Sequence, residues 1–226
     1  MLPDDAVAVV PASAGPHPPL LVLLHGADHR PVWMLRQFAD EADARGLVLL
    51  APTSKGQTWD AVATAEAPPS PSSPLANSAA SHFSRTRDVG RVAAAIRALE
   101  AQVPVDRSRV VLGGFSDGAT FAVAMGLSRD TDFAAVIAWS PGIAIETADP
   151  ARGRRVIVAH GRRDRVLSYD VTCNEIVPML KSEGGAVRFF GFDGGHEMPQ
   201  AVKDAALDAA FGTVGAGGVP AEEGCR

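Results

Sequence analysis

Ser116 stands at the centre of Gly114-Phe115-Ser116-Asp117-Gly118. The run Arg109-Val110-Val111-Leu112-Gly113 precedes it, and Ala119-Thr120-Phe121-Ala122-Val123-Ala124-Met125 follows. Together these predict a strand, a sharp turn and a helix, with the serine at the apex of the turn. Such a turn strains the serine backbone and carries its hydroxyl clear of the sheet end. A side chain at 114 or 118 would collide with the closely packed strand or helix, which accounts for both glycines. A serine hydroxyl is a weak nucleophile at neutral pH. It needs a general base to take its proton, and the base needs a carboxylate to hold its ring and balance its charge.

Two later segments supply those groups, each just past a strand-like run. Val156 to His160 leads into Gly161-Arg162-Arg163-Asp164, and Val187 to Phe192 leads into Asp193-Gly194-Gly195-His196. In a parallel sheet these ends share one edge, so Ser116, Asp164 and His196 can converge. Glu146 and Asp149 follow another strand end and are rival acids in a looser stretch. Asp193 is assigned to shaping its turn. The oxyanion of an acyl-transfer intermediate calls for two backbone donors. The amide of Asp117, at the start of the helix, is one; Ala27, in His25-Gly26-Ala27-Asp28 after Leu20 to Leu24, is the other. His25 and His160 are read as supports for their loops. Trp59 and Trp139 are the candidate walls of an acyl pocket, while Trp33 and Phe83 are assigned to the core.

The elements that must position these groups alternate along the chain. Strand-like runs cover 20–24, 47–51, 109–113, 133–139, 156–160 and 187–192. Helical patterns cover 32–44, 87–102, 169–183, where Pro178 invites a kink, and 201–211 after Pro199. This alternation predicts a single α/β domain over 1–211, with a mainly parallel sheet covered by helices on both faces. Residues 65–81, with Pro68, Pro69, Pro71 and Pro74, read as a long loop or short lid, and 212–226 as a glycine-rich tail. The 226 residues are 46% hydrophobic with a net charge of −5 and no basic block, which argues against a nucleic-acid partner. No apolar run is long enough to span a bilayer, and the N-terminus lacks a secretory pattern, so a cytoplasmic location is expected. Cys173 and Cys225 are expected as free thiols. No metal or cofactor is called for.

Leu24-His25-Gly26, the Ser116 motif, His160-Gly161 with Asp164, and Gly194-Gly195-His196 with Pro199 together resemble the phospholipase/carboxylesterase group of α/β-hydrolases, over about residues 18–211. The resemblance implies an α/β-hydrolase fold and the roles of nucleophile for Ser116, acid for Asp164, base for His196, and oxyanion donors for Ala27 and Asp117. It implies hydrolysis of small-molecule carboxylic esters, read here as those with small to medium acyl chains; the oligomeric state is left open, a homodimer included. Thioesterase members commonly carry glutamine where this chain has Asp117, so thioesterase specificity is not carried over. A peptidase uses the same groups. A dienelactone-hydrolase-like enzyme is disfavoured by serine in place of cysteine, and a non-catalytic binding protein by the complete set of groups.

Overall fold

The computed structural model describes residues 1–28, 30–66, 86–147, 150 and 152–212. A seven-stranded sheet runs in the order β1-β3-β2-β4-β5-β6-β7. Its strands are β1 (Val7–Val9), β2 (Leu20–Leu24), β3 (Val48–Ala51), β4 (Val110–Phe115), β5 (Ala135–Trp139), β6 (Arg155–Gly161) and β7 (Ala186–Phe192). All neighbours pair in parallel except β1, which lies antiparallel on β3. The expected α/β-hydrolase architecture is therefore present.

Alternation along each strand divides the core in two. Leu20, Val22 and Leu24 face one cluster with Val92, Phe121, Ile176 and Leu180, while Leu21 and Leu23 face another with Met34, Phe38, Val202 and Leu207. Every residue of β2 is buried because both faces are covered, which explains its unbroken apolar run. One cover consists of α1 (Pro31–Gln37), α2 (Ala39–Arg45) and α7 (Gln200–Phe211). The other holds α3 (Asp60–Glu66), α4 (Arg87–Glu100), α5 (Asp117–Leu127) and α6. The last is one helix in three pieces: Tyr169–Val171, a π-helical turn Thr172–Ile176, and Val177–Ser182.

Several expectations need correction. The stretch 32–44 is two helices, because the chain bends at Phe38 (φ −122°, ψ 13°). Pro178 opens the last piece of α6 next to the π turn. Ala65 and Glu66 end α3, and the remainder of the 65–81 segment lies outside the described residues, as do Phe83, Asp149 and the tail from 213. Cys173 is disulfide-bonded, against the expectation of a free thiol; Cys225 lies outside the described residues. Among the described residues no helix is long and apolar enough to cross a membrane, and no group of three His, Cys, Asp or Glu is placed to hold a metal ion.

Candidate active site

Ser116 follows the last residue of β4 and caps α5 with φ 57° and ψ −124°. That left-handed conformation is costly for a residue with a side chain, and the surrounding packing imposes it. The serine amide donates to the Trp139 carbonyl of β5 at 2.9 Å. A Cβ on Gly114 would stand 2.1 Å from the Gly118 carbonyl oxygen, and one on Gly118 would stand 2.3 Å from the Leu24 carbonyl oxygen. Neither backbone can give way, so both glycines are steric requirements of the turn.

Asp164 and His196 meet beyond β6 and β7. The Nδ1–H of His196 donates to Asp164 Oδ2 at 2.7 Å. A carboxylate facing Nδ1 places the hydrogen there and leaves Nε2 with its lone pair. The other carboxylate oxygen accepts from the amides of Val166 at 2.8 Å and Leu167 at 3.0 Å. Burial works to raise the Asp164 carboxyl. The Leu167 amide, the His196 imidazole and the Val166 amide outweigh it and hold the group below the ordinary carboxylate range. The imidazole of His196 lies against the ring of Phe115, centroid to centroid 4.6 Å, directly beside Ser116. Among the described residues neither Glu146 nor Asp193 forms a hydrogen bond or ion pair with His196; Asp193 pairs with Arg163 at 2.9 Å on the surface.

The loop after β2 is braced by His25. Its Nε2 accepts from the Ser54 amide at 3.2 Å, so Nδ1 carries the hydrogen and donates to the Gly26 carbonyl at 2.8 Å. The indole N–H of Trp59 donates to the His25 carbonyl at 2.8 Å, and the Asp28 amide to the Gln57 carbonyl at 2.9 Å. Ala27 is exposed at the tip of this loop, and its amide makes no hydrogen bond among the described residues. Asp117 is the first residue of α5, where an amide has no acceptor within the helix. Its carboxylate accepts from the Thr58 hydroxyl at 2.5 Å, so the acid beside Ser116 is paired and tied to the 53–59 loop.

The expected acyl-pocket residues are misplaced. Trp59 and Trp139 are both 0% exposed. Trp59 stacks on Phe121 at 4.9 Å and Trp139 packs on Phe38 at 5.1 Å, so both belong to the core. Trp33, assigned to the core from sequence, packs against the core while staying half-buried, its ring 5.6 Å from that of Phe115. It extends an aromatic row that ends at His196. A cavity of about 460 Å³ opens beside the same loop, lined by His25, Asp28, Arg30, Ser54 and Gln57 among others.

The phospholipase/carboxylesterase family matches residues 5–202. No curated protein matches the chain. Among solved structures, esterase PE8 is 22% identical with a TM-score of 0.65, over 89% of this chain and 95% of that one. The carboxylesterase of Bacillus cereus is 18% identical with a TM-score of 0.63, over 91% and 94%. A phospholipase/carboxylesterase from Dyadobacter fermentans DSM 18053 is 14% identical with a TM-score of 0.61, over 92% and 96%. At such identities these likenesses speak for the fold, whereas the family match spans most of the sequence. The chain belongs to the phospholipase/carboxylesterase family of α/β-hydrolases.

Proposed function

We propose that the protein is a serine carboxylesterase that works through an acyl-enzyme on Ser116. The observation that carries this reading is the 2.7 Å bond from His196 to the buried Asp164 carboxylate, with the His196 ring packed on Phe115, the residue that precedes a serine held at φ 57°. In this reaction His196 Nε2 takes the Ser116 proton as the hydroxyl oxygen attacks the ester carbonyl. The amides of Ala27 and Asp117 receive the oxyanion. The imidazolium, balanced by Asp164, then protonates the departing alkoxide, and the alcohol leaves. Water enters, gives its proton to His196 and attacks the acyl-enzyme; the proton returns to Ser116 as the carboxylic acid departs.

With Trp59 and Trp139 in the core, the half-buried Trp33 is the apolar surface offered to a small or medium acyl group. Two measurements test the reading. Wild type hydrolyses p-nitrophenyl esters of short to medium chain, and Ser116→Ala lowers kcat by about 10³-fold or more. A fluorophosphonate probe labels wild type and spares Ser116→Ala. A folded wild type that takes no label and cleaves no ester removes the proposal and favours a binding protein.

A further inference from the structure

Asp164 is shared by two imidazoles. Besides His196, the Nε2 atom of His160 lies 3.1 Å from the same carboxylate oxygen, Oδ2. His160 sits near the end of β6 with its side chain fully buried, so it cannot touch a substrate. Its Nε2 is also 3.2 Å from the Leu167 carbonyl. Both neighbours are acceptors, so Nε2 carries the hydrogen, which bonds to the Leu167 carbonyl and faces Asp164 Oδ2 at 3.1 Å. On the far side of the ring, Nδ1 lies 2.8 Å from the Thr172 hydroxyl oxygen, which is 3.0 Å from the Pro141 carbonyl. Thr172 is fully buried and opens the π-helical turn of α6, a departure from regular helix that recurs at functional sites. Burial pushes the imidazole below its ordinary value, with Asp164 opposing, so the ring is neutral and its bare Nδ1 accepts a hydrogen bond from the Thr172 hydroxyl, whose single hydrogen then turns to the ring from the Pro141 carbonyl.

We propose that His160 is a positioning residue for the acid of the site: its Nε2–H, backed by the Thr172 hydroxyl, fixes the direction of Asp164 Oδ2 and limits how strongly that oxygen stabilises a protonated His196. The inference rests on the hydrolase reading above. An oxygen that already accepts one hydrogen offers less charge to a second donor. With the His160 donor removed, Oδ2 serves His196 alone, which then holds its proton more tightly and becomes a useful base only at higher pH. The carboxylate also loses a lateral restraint, so the chemical step slows more than binding does. The other charged groups around His196 are Asp117 on α5, Arg162, Arg163 and Arg165 in the acid loop, and Asp193 and Glu197 in its own loop. All remain in the variants below, and all but Asp117 are exposed.

The test compares His160→Leu, His160→Gln and Thr172→Val with wild type in ester hydrolysis. Glutamine keeps an N–H donor at the position of Nε2, and leucine removes it. His160→Leu is expected to lower kcat about tenfold with KM changed less than about twofold. It should also move the acidic limb of the kcat/KM profile upward by about one pH unit. His160→Gln should restore most of both, and Thr172→Val should shift both in the same direction by less. Equal loss in the leucine and glutamine variants, or an acidic limb that stays put, overturns the proposal. If His160→Leu fails to fold, an unmoved limb in Thr172→Val overturns it just as well. Two-bond 1H–15N spectra of wild type give a reading that needs no activity. Hydrogen on His160 Nε2 with a bare Nδ1 supports the arrangement, and the opposite tautomer sinks it. The expected tautomer in a protein that neither hydrolyses esters nor takes the fluorophosphonate would end the hydrolase reading and leave the Asp164 arrangement standing.

Discussion

Asp117 places a negative charge one residue from Ser116, where the proposed reaction develops negative charge on an oxyanion. The 2.5 Å bond from Thr58 makes that tolerable by drawing the carboxylate toward the 53–59 loop. Thr58→Val should therefore lower kcat about tenfold, and Asp117→Asn added to it should recover much of the loss, because the uncompensated charge is gone. Initial rates on one ester with both variants decide this; a double variant as slow as Thr58→Val would show that charge is not the cause. His160 sets a stability effect of definite sign. Its value in the folded protein lies below the ordinary 6.5, so the unfolded chain takes up this proton first. Stability should fall as the pH drops below about 6.5 and level off below the depressed value. Asp164 acts lower, its contribution full above the ordinary 3.8 and lost as the pH falls through its own depressed value. Urea midpoints between pH 8 and 5 should decline in wild type and flatten in His160→Gln; an unchanged slope would point to another histidine.

Two helix starts hold the 53–60 segment against the 25–28 loop. Asp88, in the first turn of α4, accepts from the Lys55 amide at 3.0 Å and the Asp60 amide at 2.9 Å. Asp60, at the start of α3, accepts in return from the amides of Arg87 at 2.8 Å and Asp88 at 3.2 Å. Each carboxylate thus caps the other's helix. Burial raises the Asp88 carboxyl, and the two amides it binds oppose the rise. Charge at this position therefore carries a desolvation cost that offsets part of what the bonds contribute. Asp88→Asn keeps one acceptor but turns an NH2 group toward the other amide. The variant should lose about 1–2 kcal/mol, a fall in Tm of roughly 2–8 °C by calorimetry. A Tm equal to wild type would mean that the segment is held by its other bonds, to His25, Asp28 and Asp117.

Across the molecule, α7 is locked to α2 through a buried ion pair. Lys203 Nζ lies 2.7 Å from Glu41 Oε1, with side-chain exposures of 8% and 2%. It also donates to the Gln37 carbonyl and sits over the Phe38 ring. Lys203→Met leaves Glu41 buried without its cation, a loss of about 3–5 kcal/mol and roughly 10 °C in Tm. The double change with Glu41→Leu should return most of it, since two apolar groups need no partner; calorimetry of the three variants checks this. At this scale the sequence was easiest to read. Six strands and the meeting of Asp164 with His196 follow from apolar runs whose C-terminal ends lie at one edge of a parallel sheet. β1 was missed because Val7–Val9 is a three-residue edge strand with no alternation to detect. Trp59 was misread because a loop position suggested exposure, whereas its N–H folds back onto the His25 carbonyl. The break at Phe38, the π turn and the bond at Cys173 depend on tertiary packing, which local patterning does not encode.

The mutual capping of Asp60 and Asp88 joins two points that the covalent chain separates by a long proline-rich excursion. Because that junction is held by its own hydrogen bonds, the starts of the two helices stay in register whatever the length of sequence between them, the entropy of closing a loop growing only slowly with its length.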